Sequence, residues 1–72
     1  MYTLEIKESN PTADLFAEYS LGMKVQALAD YLYTTHSIEA DAEAYNRLVF
    51  NSEKDFTTAT LVISGFDDIK IA

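Results

Sequence analysis

A chain of 72 residues without a single cysteine has no disulfide to hold its fold and no thiolate to bind a metal. Domains this small bury only about 60% of the surface that their unfolded chain exposes, so their stability is marginal. With one histidine, a structural zinc site would need mostly carboxylate ligands, which is rare. We therefore expect one compact domain over residues 1–72, stabilised by close packing or by oligomerisation.

The N-terminal residues predict a strand followed by a helix. Tyr2, Leu4 and Ile6 alternate with polar residues, and this period of two is typical of a half-buried strand. Asn10 is a favourable N-cap residue and Pro11 suits the first position of a helix. A helix is therefore expected to begin there.

Two apolar sets follow in the next segment and point to opposite sides of a helix at about 100° per residue. Leu15, Phe16 and Tyr19 form the first set and predict the apolar face of a first helix. A break at residues 20–22 explains both sets, because Gly22 can end one helix or Ser20 can cap the next. The second set consists of Leu21, Val25, Leu28 and Leu32.

The middle of the chain favours a third helix. Ser37 can cap it, and acidic residues follow near its expected N-terminus. Residues 40–44 also alternate with a period of two, but Ala, Asp and Glu are poor strand residues, which favours the helix. Its predicted apolar face consists of Ile38, Ala42, Tyr45 and Val49.

The C-terminal third favours two strands. Residues 56–64 are rich in threonine and branched side chains, which predicts a strand. Ser52 with Asp55 resembles a helix start, so a short helix is the alternative. After a turn at residues 65–68, residues 69–71 form a short final strand that is expected at an edge of the sheet.

These elements predict an α+β fold in the order β-α-α-α-β-β. We expect a small three-stranded sheet with the helices packed on one face. The predicted core residues are Leu4, Ile6, Leu28, Leu32, Leu61 and Ile63.

The charge balance restricts the partners. The chain has twelve Asp and Glu residues and five Lys and Arg residues, so the formal net charge is -7. Direct binding to nucleic acid or to an anionic membrane needs a basic face, so neither is expected. No apolar run approaches the ~20 residues of a membrane span, and the N-terminal residues lack a signal-peptide pattern. We expect a cytoplasmic protein.

No motif predicts catalysis, a metal or a cofactor. The single His36 has no recognisable nucleophile or orienting carboxylate around it in sequence. The only glycines, Gly22 and Gly65, are too far apart for a phosphate loop. Residues 39–43 resemble the start of a calcium loop, but that loop needs Gly at its sixth position and Glu at its twelfth. These positions hold Ala44 and Phe50, so we expect no calcium site and no enzyme.

The acidic residues predict a surface for a larger protein with a basic, nucleic-acid-binding face. On the predicted helices, Asp14 with Glu18 and Glu39 with Glu43 are one helical turn apart. Carboxylates at this spacing lie about 5–6 Å apart, close to the roughly 6–7 Å between phosphates that the axial rise and winding of one strand imply. Tyr31 and Tyr33 flank the second apolar set on opposite sides, so at least one is expected to be exposed, and tyrosine is a common interface anchor. The predicted partner-binding residues are Asp14, Glu18, Asp30, Tyr31, Tyr33, Glu39, Asp41 and Glu43.

The resulting functional hypothesis is an inhibitory or regulatory binding protein. Its most concrete form is a nucleic-acid mimic that blocks a nuclease, a restriction enzyme or a CRISPR effector. In size and charge the chain is similar to inhibitors that bacteriophages and mobile elements encode. The alternatives are an antitoxin or immunity protein, and a homodimeric structural or assembly module.

Overall fold

Four antiparallel strands and two helices form the part of the chain that the computed structural model describes, which is residues 1–10 and 15–72. The sheet has the strand order β2-β3-β1-β4. The α+β class is confirmed, but the predicted three strands and three helices are wrong in detail. The elements are β1 (Tyr2–Glu8), α1 (Ala17–His36), β2 (Asp41–Glu43), β3 (Arg47–Phe50), α2 (Glu53–Ser64) and β4 (Ile69–Ile71).

The predicted N-terminal strand is the centre of the sheet. The first half of β1 pairs with β3, where Leu4 lies opposite Leu48, and its second half pairs with β4, where Ile6 lies opposite Ile71. Leu4, Ile6, Leu48 and the neighbouring Phe50 share one face of the sheet and are all buried. β4 is an edge strand, as predicted from its sequence.

Both helices contribute to one apolar core with this face of the sheet. α1 contributes the predicted stripe that includes Leu28 and Leu32, and α2 contributes Ala59 and Ile63. Five of the six predicted core residues are buried, whereas Leu61 is 71% exposed. The prediction for Leu61 is wrong because its segment is a helix, in which positions 59 and 63 share a face and position 61 points away.

The predicted break at residues 20–22 is absent, because α1 runs without interruption from Ala17 to His36. Residues 11–14, where we expected the first helix to begin, lie outside the described part of the chain. Gly22 stays helical and half-buried under the turn between β2 and β3. A Cβ placed on Gly22 would lie 3.6 Å from the Cβ of Tyr45, which is ordinary van der Waals contact.

Replacing Gly22 with alanine should therefore stabilise the domain. Alanine favours a helix interior over glycine by about 0.8–1.0 kcal/mol, and the added methyl group meets Tyr45 without overlap. We expect the free energy of unfolding in urea to rise by roughly 0.5–1 kcal/mol. A loss of stability would show that the turn cannot accommodate the methyl group.

The predicted third helix is wrong, and residues 41–50 form a β-hairpin instead. α1 ends at His36, its C-cap residue Ser37 has a left-handed φ of 56°, and the N–H of Ile38 donates to the carbonyl of Leu32 at 3.1 Å. From Ile38 onward buried and exposed residues alternate. Ala40 and Ala42 pack against the core, so the period of two decides the structure and the low strand propensity of these residues does not.

The predicted strand at residues 56–64 is also wrong, and the alternative of a helix is confirmed. The Ser52 hydroxyl accepts a hydrogen bond from the backbone N–H of Asp55 at 3.3 Å, which is the N-cap arrangement that the sequence indicated. Thr60 donates its hydroxyl proton to the carbonyl of Phe56 at 2.8 Å. Capping and burial of one apolar face thus outweigh the strand preference of threonine and branched residues.

Replacing Ser52 with alanine should cost about 1 kcal/mol, because the first turn of α2 loses its capping acceptor. Ser64 is a matched control at the other end of α2, where its hydroxyl only donates to the carbonyl of Thr60. Ser64→Ala should change the free energy of unfolding by less than about 0.5 kcal/mol. Urea unfolding of both variants checks this, and equal losses would contradict the capping role.

Candidate protein-binding groove

An open groove of about 540 Å³ lies between the C-terminal half of α1 and the edge strand β2. Among the described residues, it brings four of the eight predicted partner-binding side chains together. We call it the acidic groove. Its lining consists of Gln26, Ala29, Asp30, Tyr33, Thr34, Glu39, Ala40, Asp41, Val49 and Asn51.

The helix wall of the acidic groove follows from helical spacing. Gln26, Asp30 and Tyr33 are separated by four and three residues, so they lie on the same side of α1. This side is adjacent to the core stripe, because Ala29 is both buried and part of the groove lining. The Thr34 hydroxyl donates to the carbonyl oxygen of Asp30 at 2.9 Å, so the threonine is tied to the helix backbone.

The turn at Ser37 positions the strand that forms the other wall of the acidic groove. Ile38 is 3% exposed and anchors the chain in the core directly after this turn. The alternation that follows leaves Glu39 and Asp41 exposed, whereas Ala40 packs against the core. Ala40 is small, so this segment can lie close to α1. Because Ala40 points to the core, the carboxylates of Glu39 and Asp41 on either side of it point outward.

The charged side chains that line the acidic groove are all negative. Asp30, Glu39 and Asp41 contribute three carboxylates, and none of the described residues that line the groove is Lys, Arg or His. Within the described residues, the one ion pair joins Lys24 Nζ to Glu8 Oε1 at 3.6 Å, and neither residue lines the groove. A cleft lined by charges of one sign concentrates its field and attracts the opposite charge.

Four of the eight predicted partner-binding residues meet in the acidic groove: Asp30, Tyr33, Glu39 and Asp41. The predicted helical pairing of Glu39 with Glu43 is wrong, because both belong to an extended, alternating segment. Asp14 lies outside the described residues.

The remaining three predicted residues lie elsewhere. The Tyr31 ring packs edge-on against Phe66 and His36, with both ring centroids 5.7 Å away. Glu43 lies directly opposite Arg47 in the β2–β3 register and does not line the acidic groove. Glu18 lines a separate groove near the β2–β3 turn, together with Leu21 and Tyr45.

An exposed apolar patch that the sequence did not predict lies on the outer face of α1 and its N-terminal turn. The first apolar set was predicted to be buried, but because α1 is continuous it faces away from the core. The spacing of the two sets on opposite sides of one helix was the signal that could have revealed it. The apolar patch comprises Leu15 (98% exposed), Phe16 (65%), Tyr19 (69%) and Met23 (60%).

Gln26 and Asn51 are further groove residues that the sequence did not single out, since neither belongs to a motif.

Among the described residues, no three His, Cys, Asp or Glu side chains are arranged to hold a metal ion. Neither helix there combines the length and the apolar character that crossing a membrane requires. No protein-family model, curated protein or solved structure matches the chain.

Proposed function

We propose that the protein is a binding protein that holds a basic segment of a larger, nucleic-acid-binding protein in its acidic groove and thereby inhibits or regulates that protein. The observation that carries the proposal is the convergence of Asp30, Glu39 and Asp41 on one groove, whose described lining residues include no basic side chain. Three carboxylates at a concave site attract Arg and Lys side chains and slow their release.

The chemistry of the lining favours arginine as the central contact. A guanidinium group forms paired hydrogen bonds with a carboxylate, and its flat face stacks on an aromatic ring. The acidic groove offers both partners, because Tyr33 lines it beside the carboxylates. Gln26 and Asn51 add side-chain amides that can accept or donate further hydrogen bonds.

The strand geometry supports mimicry of a nucleic-acid backbone. Glu39, Asp41 and Glu43 occupy alternate, exposed positions, and such positions on a strand repeat about every 6.6–6.8 Å. Successive phosphates on one nucleic-acid strand lie roughly 6–7 Å apart, given an axial rise of about 3.4 Å and the winding of the helix. The extended segment therefore matches phosphate spacing more closely than the predicted helix would.

A competition experiment tests the proposed function. Immobilised protein captures partners from its native host at low salt, and single-stranded or duplex nucleic acid is then added. We expect the captured protein to be nucleic-acid-binding and to be released by nucleic acid or by added salt, because both oppose the same charge contacts. A partner that keeps its nucleic acid while bound to the protein would contradict mimicry.

A further inference from the structure

We propose that the apolar patch is a homodimer interface in which the N-terminal halves of two α1 helices pack antiparallel. Its four members expose between 60% and 98% of their surface. Between Leu15 and Met23 the only charged residue is Glu18, which lies about 140° around the helix from Met23. A contiguous apolar surface of this kind on a small, highly charged domain marks an interaction site.

The spacing of the patch suits a second helix of the same kind. Phe16, Tyr19 and Met23 are separated by three and four residues, so they form one seam along the helix surface. A two-fold axis near Tyr19 would place the same seam on both copies, as a self-complementary interface requires. Gly22 faces the β2–β3 turn of its own domain, so the seam leaves that packing unchanged.

The area of the patch is sufficient for a dimer. Taking about 150–250 Å² for a whole aromatic side chain, the four side chains expose on the order of 500 Å² per copy. Complete burial of the patch in two copies would remove about 1,000 Å² of apolar surface from water, which is the size at which specific interfaces begin. A domain with no disulfide also gains stability from such an assembly.

The charge distribution selects the antiparallel arrangement. With a rise of about 1.5 Å per residue, Asp30 lies roughly 16 Å from Tyr19 along α1. The two Asp30 side chains of an antiparallel pair are then about 30 Å apart, which exceeds the Debye length of about 8–10 Å. A parallel pair would bring both acidic grooves within about 10 Å of each other, where their charges repel.

The dimer interface and the acidic groove use different residues of α1, and salt distinguishes the two proposals. Each copy carries a net charge of -7, so salt should strengthen self-association by screening the repulsion between copies. The same salt should weaken binding of a basic partner in the acidic groove. The two proposals can therefore fail separately.

Sedimentation equilibrium of the full chain at micromolar concentration tests the interface. The double variant Tyr19→Gln/Met23→Gln removes apolar area without changing charge, and Leu61→Gln is the matched control because Leu61 is exposed elsewhere, on α2. We expect the parent and the Leu61 variant to dimerise, more tightly at higher salt, and the double variant to remain monomeric with unchanged helical circular dichroism. A monomeric parent, or a double variant that dimerises like the parent, would overturn the proposal.

Single-cysteine variants test the direction of packing, because the chain has no other cysteine. Tyr19→Cys places a thiol near the proposed axis, and Thr34→Cys places one at the far end of α1. Under mild oxidation, we expect the Cys at position 19 to form a covalent dimer and the Cys at position 34 to form none. Equal cross-linking at both positions would show a parallel pair and overturn the antiparallel arrangement.

Discussion

Replacing Phe50 with alanine should remove about 3–5 kcal/mol from the free energy of unfolding, the usual cost of truncating a fully buried aromatic side chain. Phe50 is 1% exposed, lies on the face of β3 that the helices cover, and packs edge-on against Phe56 at a centroid distance of 6.0 Å. A domain of this length has a total stability of only about 4–11 kcal/mol, at 0.05–0.15 kcal/mol per residue. The variant should therefore lose at least about a quarter of the total stability, and all of it if the parent lies near the lower end of this range.

Leu61→Ala is the control for this prediction, because Leu61 is exposed on α2 and both residues favour a helix. Its free energy of unfolding should stay within about 0.5 kcal/mol of the parent. Urea unfolding followed by circular dichroism measures both variants. A larger loss for Leu61→Ala than for Phe50→Ala would mean that residues 56–64 form a strand after all.

Neutralising the acidic groove should weaken partner binding about tenfold to a hundredfold. The triple variant Asp30→Asn/Glu39→Gln/Asp41→Asn keeps the size of each side chain and removes three charges that line the groove. A charge-assisted hydrogen bond contributes about 1.5–3 kcal/mol and an exposed ion pair about 0–1 kcal/mol, so the expected total is a few kcal/mol at most. Titration of the captured partner at low and high salt measures the change.

The matched control for the groove is Glu53→Gln/Asp67→Asn/Asp68→Asn, which changes the net charge by the same three units at exposed positions outside the groove. If the contacts in the acidic groove hold the partner, the control should bind almost as tightly as the parent. Equal losses in the two triple variants would mean that only the overall negative field attracts the partner. The interface would then have to be sought at Tyr31 or at the edge strand β4.

The sequence could not decide which side of α1 faces the core. Two apolar sets on opposite sides of one helix are equally compatible with two helices and with one helix that exposes one set. The sheet resolves this ambiguity, because a layer with Leu4 and Ile6 on its inner face covers only one side of a helix. The stripe containing Leu28 and Leu32 occupies that side, and the apolar patch is left at the surface.

The sequence also could not decide the structure of residues 39–43, two of which line the acidic groove. Local propensity favours a helix, since Ala and Glu are good helix formers and poor strand formers. Pairing of Asp41 with Val49 and of Ala42 with Leu48 overrides this preference, and the β3 strand of this hairpin is in turn paired with β1, which is distant in sequence. This tertiary pairing places Glu39 and Asp41 in the same groove as Asp30. The spacing of these three residues in the sequence does not indicate that they share a site.

The sequence by itself determined the α+β class, the existence of strand β1, the edge strand β4, the buried stripe of α1 and the excess of negative charge. These features depend on local periodicity and composition, which act over a few neighbouring residues. Only the tertiary structure decided that residues 41–50 form a hairpin, that α2 is a helix, and which carboxylates share a groove. The reason is physical: in a domain this small, burial against the sheet contributes more free energy than the propensity differences between helix and strand.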